Sequence, residues 1–239
     1  MIFYYAKRRN IMTYPATFEI PTSDNLTGLL NSMYFRHLVR EKLLPEAQTS
    51  GEPLSLFLLD MDSFYEINRQ YGRECGDQLI KAVAEVLTQT LPETTVLARY
   101  GGDEFSGVFP ETRLDDAFTL MEEVRRRIVA LRLEQWPEVA ITSSIGLASY
   151  PAHGSNDIEI FREADQACYL AKSTGRNKVS LPLADSRMIT KTSHYTAPQL
   201  ERLNHLARAV KRNEASLLRE ALDDLLKKYN DLLKAAPKQ

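Results

Sequence analysis

The chain has 239 residues, of which 44% are hydrophobic and 26% charged, a composition that excludes a disordered chain and supports one core of roughly 150–180 residues plus a small second module. Its net charge of −2 predicts no strongly polyanionic or polycationic partner for the chain as a whole. The charge is unevenly spread: from Arg187 onward 11 Lys and Arg face 6 Asp and Glu, against 19 and 26 before it, so a basic tail follows an acidic body.

The chain opens with Met1-Ile2-Phe3-Tyr4-Tyr5-Ala6-Lys7-Arg8-Arg9. An apolar run that precedes the basic residues is the reverse of a signal peptide, and this one is too short to span a bilayer. Residues 1–21 read as a flexible leader, which a start at Met12 would remove without structural cost. Apolar residues at helical spacing (Phe35, Leu38, Val39, Leu43) predict a helix over 32–44, stopped by Pro45. Leu54 to Leu59 is a short apolar run leading into Asp60, the pattern of a buried strand that ends at a polar edge. Leu79, Ile80, Val83, Val86 and Leu87 predict a helix over 76–91.

Val96-Leu97-Ala98, a turn over 100–103 and a strand over 104–109 make a hairpin. An amphipathic helix over 114–131, an extended β-branched segment over 139–150, a helix over 158–173 and a short strand over 178–181 follow. The order predicts an α+β fold, an α/β sandwich in which an antiparallel or mixed sheet is covered by helices. Residues 183–187 lose periodicity and read as a linker to a separate unit. Cys75 and Cys168 are far apart, with no Cys or His at metal-ligand spacing, so neither a zinc site nor a disulfide framework is predicted and a reducing cytoplasm is the expected location.

Two pairs of acids stand out. Asp60 and Asp62 end an apolar strand, and Asp103 and Glu104 flank a Gly-Gly turn. Strand ends and hairpin tips can aim carboxylates at one point, and hard divalent cations take oxygen ligands. Taken singly, each acid reads better as a solvated residue at a loop edge. Downstream, Lys172 and Arg176 lie four apart around a helix end, an arrangement suited to phosphate oxygens and also to a helix C-terminus stopped at Gly175. Carboxylates for a metal and cations for phosphate together point to nucleotidyl transfer. The residues by themselves name no product.

Arg99-Tyr100-Gly101-Gly102-Asp103-Glu104-Phe105 carries the signature of a family that this chain resembles, the GGDEF diguanylate cyclases. Further family motifs occur in order: Asp24-Asn25-Leu26-Thr27-Gly28-Leu29, Leu59-Asp60-Met61-Asp62-Ser63-Phe64, Asn68, Gly76-Asp77, Ser144-Ile145-Gly146-Leu147-Ala148, and Ala171-Lys172 with Gly175-Arg176-Asn177. The resemblance covers residues 22–182. It implies the fold shared with class III nucleotide cyclases and polymerase palms, and condensation of two GTP into cyclic di-GMP between two such domains. It also implies Mg²⁺, or Mn²⁺ in its place, held by Asp60, the Met61 carbonyl and Asp103. Asp103 would stand closest to activating the ribose 3′-hydroxyl, with Glu104 supporting the metal. Asn68 and Asp77 would bind guanine, whose N1 and N2 donors adenine lacks, and Lys172 and Arg176 the phosphates.

Three positions depart from the family pattern. Tyr65 stands where Lys is usual, removing a cation near the triphosphate, and Asn68-Arg69 stands where Asn-Asp is usual. Arg69 is the candidate to compensate. Pro92 and Thr95 replace the Arg and Asp of an RxxD product-inhibition site, so inhibition through that site is not expected.

Residues 188–230 read as a strand (188–195), a helix (198–210), a turn N-capped by Asn213 and a second helix (214–229), with residues 231–239 as a tail. Leu200, Leu203, Leu206 and Ala207 line one helix; Leu217, Leu218, Ala221, Leu222, Leu225 and Leu226 line the other. One strand and two short helices cannot cover that much apolar surface alone, so a homodimer is expected. The unit resembles the ribbon-helix-helix family. By that resemblance Thr190, Thr192 and His194 would face the major groove of double-stranded DNA, with Lys211, Arg212 and Asn213 near a phosphate. The leading expectation is a dimeric, DNA-regulated cyclase without a membrane partner. The alternative is a non-catalytic regulator that senses GTP or cyclic di-GMP and binds DNA.

Overall fold

The computed structural model describes residues 22–182, 195–210 and 214–229. The chain divides into two compact units, Met1–Arg187 and Met188–Gln239. The first is built on a six-stranded mixed sheet, the α+β architecture expected. Its strands are β1 (Leu30–Asn31), β2 (Leu54–Met61), β3 (Val96–Arg99), β4 (Glu104–Pro110), β5 (Ser143–Tyr150) and β6 (Lys178–Ser180), in the order β1-β3-β4-β2-β5-β6. β2 lies in the middle, antiparallel to both β4 and β5, while β1 and β6 run parallel to β3 and β5 at the edges.

Because β2 is covered on both faces it reads as a continuous apolar run rather than an alternating one. Phe57, Leu59 and Met61 point to a core completed by helices α4 (Arg73–Thr90) and α5 (Leu114–Ala130), through Leu79, Ile80, Val83, Leu87, Met121, Val124 and Ile128. Leu54 and Leu56 point to the opposite core, which contains Phe35, Val39, Ile160, Phe161 and Ala164. The last three all come from α6 (Asp157–Ser173), and Asn156 caps α6 by accepting from the Glu159 amide at 3.0 Å. α6 lies directly on β5. A Cβ at Gly146 would strike the Ala164 carbonyl oxygen and the Cys168 amide nitrogen, so only hydrogen fits between strand and helix.

Several expectations are corrected. Pro45 does not stop the first helix: α1 (Ser32–Leu38), a π-helical turn (Val39–Leu43) and α2 (Leu44–Ser50) follow without a break. In the π turn the Leu44 amide reaches back five residues to the Val39 carbonyl. That shift of register lets Pro45, which has no N–H to give, open a new helical segment as it would a first turn. A helix absent from the sequence reading, α3 (Phe64–Tyr71), stands between β2 and α4, and α4 itself begins at Arg73 rather than 76. The strand expected from 139 begins at Ser143, and the one expected to close at 181 ends at Ser180. Pro92 and Thr95 form a turn, the Thr95 amide donating to the Pro92 carbonyl at 2.8 Å.

In the second unit, α7 (Ala197–Ala209) starts with a capping box between Thr196 and Gln199, and α8 (Glu214–Lys228) follows it. Asn204 donates to Glu214 across the pair at 2.8 Å. Leu200, Leu206, Val210, Leu222 and Leu225 remain about half exposed, an apolar surface that these two helices do not cover. The leader 1–21, the linker 183–187, the strand expected over 188–195 apart from its last residue, the Asn213 cap and the tail 231–239 lie outside the described residues. Among the described residues no helix is long and apolar enough to cross a membrane.

Candidate active site

β2 delivers Asp60 to the end of the sheet, where it pairs in register with Glu104 on β4 and Ser144 on β5. The turn between β3 and β4 is drawn to the same end, for the Met61 amide donates to the Asp103 carbonyl at 3.2 Å. Lys172, in the last turn of α6, reaches over to Asp60 with 2.6 Å between Nζ and Oδ2. Burial pushes the Asp60 carboxyl above its ordinary range; Lys172 opposes this, and Asp103 and Asp62 add to it. Glu104 is raised in the same direction by burial, then by Asp60, with Asp103 and Asp165 contributing. Burial disfavours the Lys172 charge, yet its hydrogen bond to Asp60 carries it above the usual lysine range. Several acids crowd one cation, so the site has the electrostatics of a place that gains from more positive charge.

The two acids ending β2 have different fates. Asp62 is buried, and its carboxylate accepts from the Thr142 hydroxyl at 2.6 Å, the Ser144 hydroxyl at 2.7 Å and the Asn177 amide at 3.1 Å. Three donors thus occupy Asp62, which ties β5 to the loop after α6, while Asp60 faces Lys172. That loop turns through Gly175, Arg176 and Asn177, all with positive φ (113°, 62° and 46°), and leaves Arg176 exposed.

Asn68 and Asp77 form a separate group where α3 meets α4. Gly76 lies directly beneath the Asn68 side chain, whose Oδ1 a Cβ there would overlap, and Asp77 is the next residue, exposed on α4. Asn68 Oδ1 is buried and has no hydrogen-bond partner. Such an orphaned acceptor is costly unless something supplies a donor. Tyr65 and Arg69, four residues apart on α3, are both exposed.

Beside Asp60 and Lys172 opens a cleft of about 480 Å³, whose walls include Tyr100, Glu104, Asp165 and Tyr169. Asp165 and Tyr169 escaped the sequence reading, although 165, 169 and 172 are spaced i, i+4, i+7 on one face of α6, which was the available signal. Tyr100 stacks on Phe161 with ring centroids 5.7 Å apart, the Arg36 guanidinium lies 4.8 Å over the Phe161 ring, and Arg36 donates to the Tyr100 hydroxyl at 3.1 Å. The same turn is clamped by Arg99, which donates to the Gly102 carbonyl at 2.6 Å and pairs with Asp24 at 3.2 Å. Asp24 in turn accepts from the Thr27 amide and hydroxyl, so the first motif forms a side-chain-closed turn that buttresses the signature hairpin.

Cys168, one turn before Lys172, is buried and its thiol is pushed up to about 12, chiefly by burial. Burial also raises Cys75. In the folded protein neither thiol should react with iodoacetamide at pH 8, whereas denatured chain should take two labels per molecule by mass spectrometry. Rapid native labelling at Cys168 would contradict its packing under β5.

Among the described residues no group of three His, Cys, Asp or Glu side chains stands ready to hold a metal ion unaided. Asp60, the Met61 carbonyl and Asp103 offer oxygen only, from two carboxylates and one carbonyl. This donor set fits Mg²⁺, which takes one or two carboxylates and fills its shell with water and substrate phosphates. Thr190, Thr192, His194, Lys211, Arg212 and Asn213, the candidate DNA contacts, lie outside the described residues.

The family model for the diguanylate cyclase GGDEF domain matches residues 22–178, and that for a ribbon-helix-helix domain matches residues 190–230. The chain is 32% identical over 167 residues to the response regulator PleD of Caulobacter vibrioides, covering 67% of this chain and 36% of the relative. It is 32% identical over 160 residues to the diguanylate cyclase DosC of Escherichia coli, covering 66% of this chain and 34% of that one. The chain thus spans about a third of the length of these curated relatives. Among solved structures it is similar to the GGDEF domain of DgcB from Caulobacter crescentus, crystallised with c-di-GMP. The TM-score is 0.62 at 33% identity, covering 67% of this chain and 95% of that one. It is also similar to an active GGEEF domain of a diguanylate cyclase from Vibrio cholerae, with a TM-score of 0.60 at 30% identity, covering 64% and 96%.

Proposed function

The chain belongs to the GGDEF domain family, and from that premise we propose that it condenses two GTP into cyclic di-GMP and two pyrophosphates. The observation that carries the reading is the meeting of Asp60 and Glu104 with Lys172 at one open end of the sheet. Each domain binds one GTP, and two domains face each other. The 3′-oxygen of each nucleotide forms a bond to the α-phosphorus of the other. The bond from that phosphorus to its bridging oxygen breaks, pyrophosphate departs, and the hydroxyl proton passes to Asp103. Asp60, the Met61 carbonyl and Asp103 would hold Mg²⁺, with Glu104 in support, and the ion would supply charge stabilisation to the attacking and leaving oxygens. Lys172 exchanges Asp60 for phosphate oxygens, and Arg176 adds a second cation. Asn68 Oδ1 and Asp77 accept from guanine, giving the orphaned acceptor a donor. Purified protein incubated with GTP and Mg²⁺ is expected to yield cyclic di-GMP, read by chromatography; its absence at high protein concentration defeats the proposal.

Residues 188–230 are proposed to dimerise the chain as a ribbon-helix-helix module, supported by the family match and by the half-exposed leucines of α7 and α8. DNA contact through Thr190, Thr192, His194, Lys211, Arg212 and Asn213 is the accompanying proposal. If the cyclase proves silent, the same match favours a DNA-binding regulator that senses GTP or cyclic di-GMP. Deleting residues 188–239 should lower the dimer fraction and the product made per chain at low concentration, since tethered domains meet at an effective concentration in the millimolar range. Raising protein concentration should restore it. An unchanged dimer, seen by light scattering, removes the dimerisation role.

A further inference from the structure

We propose that Arg125, on α5 and outside every motif, is a positioning residue that sets the affinity for the triphosphate through Asn177 and Arg176. The inference rests on the reading that Arg176 binds phosphate. The loop carrying Arg176 places three consecutive residues at positive φ, a conformation that Arg resists and Asn tolerates better. Such a loop keeps its shape only if its surroundings hold it. The Arg176 amide donates to the Ala171 carbonyl at 2.9 Å, and the Asn177 amide to the buried Asp62 carboxylate at 3.1 Å. From the other side, Arg125 Nη1 donates to Asn177 Oδ1 at 2.9 Å.

Arg125 is itself fixed. Its Nε and Nη2 fork onto the two Glu122 oxygens at 3.1 and 2.9 Å, and Glu122 also accepts from the Val179 amide of β6. The Arg125 hydrogen bonds hold Glu122 below the usual carboxylate range, so the pair stays charged at neutral pH. A planar guanidinium locked by a fork leaves its remaining N–H groups aimed in one direction, here at Asn177. Asp62 from within and Arg125 from without thus grip the residue that follows Arg176.

The test is a double-mutant cycle on the full chain, with calorimetric binding of the α,β-methylene analogue of GTP, which cannot lose pyrophosphate, in Mg²⁺. Arg125→Ala should weaken binding about tenfold while the rate at saturating GTP stays within about threefold. In an Arg176→Ala background the same substitution should cost less than about twofold, because the residue it orients is gone. Arg125→Lys should behave like Arg125→Ala, since an ammonium cannot fork to Glu122 and reach Asn177 together. Asn177→Gly, which keeps the positive φ and deletes only Oδ1, should reproduce the loss if Arg125→Ala folds poorly. Full additivity with Arg176→Ala, rescue by Lys, or undiminished binding in the Arg125 and Asn177 variants overturns the proposal. If Arg176→Ala itself binds the analogue as the unaltered chain does, the phosphate reading falls, and this proposal with it.

Discussion

Asp103→Ala should reduce cyclic di-GMP production about a thousandfold, equivalent to about 4 kcal/mol of transition-state stabilisation, while leaving the melting temperature unchanged or slightly higher. The hairpin tip does not depend on this side chain, because the Asp103 backbone carbonyl makes the contact to Met61. Its charge also works against folding: Asp60 and Glu104 are both held above their ordinary range, in part by Asp103. A carboxylate raised in this way stabilises the fold below its unfolded value and loses that contribution as pH rises through the folded one. At neutral pH these two carboxylates therefore weigh against the fold, a cost that removing the neighbouring Asp103 charge relieves. Turnover assayed beside a thermal melt checks both halves. Wild-type turnover would remove Asp103 from the site, and a collapsed melt would make its role structural.

Gly146→Ala should have the largest effect on stability, a loss of about 3 kcal/mol or more and a melting temperature lower by roughly 10 °C. The added methyl meets backbone atoms of α6, at Ala164 and Cys168, rather than the end of a flexible side chain. The helix must lift off β5, and it carries Asp165, Tyr169 and Lys172, so turnover should fall with stability. A melt within 2 °C of wild type, as an order-of-magnitude margin, would show that strand and helix part more easily than this packing implies.

What was legible in the sequence followed from strong local patterns. The β2 run, the hairpin and the long helices α5 and α6 each bury a recognisable face. The α3 helix was missed because only Ile67 of its residues is fully buried, which leaves little periodicity to read. Pro45 misled because a π turn changes the hydrogen-bond register, and nothing in residue type announces one. In the site, the meeting of Asp60, Glu104 and Lys172 at one end of the sheet was legible as clustered charge. The division of labour between Asp60 and Asp62 was not, since two acids two residues apart look alike until Thr142, Ser144 and Asn177 are seen to occupy one of them. Arg125 was invisible for the same reason: its partner is 52 residues away.

The Arg99 clamp makes the place where the chain enters the domain a lever on the hairpin. One guanidinium grips the Asp24 carboxylate with one nitrogen and the Gly102 carbonyl with its others. A force that drags the Asp24 turn loads that ion pair, and through it the residue preceding Asp103. By reciprocity, whatever ligand stiffens the hairpin also resists displacement of the entering strand. Mechanical input at residues 22–27 and stiffening of the hairpin are thus two ends of a single thermodynamic cycle, joined by the Arg99 side chain and by β1, which pairs with β3.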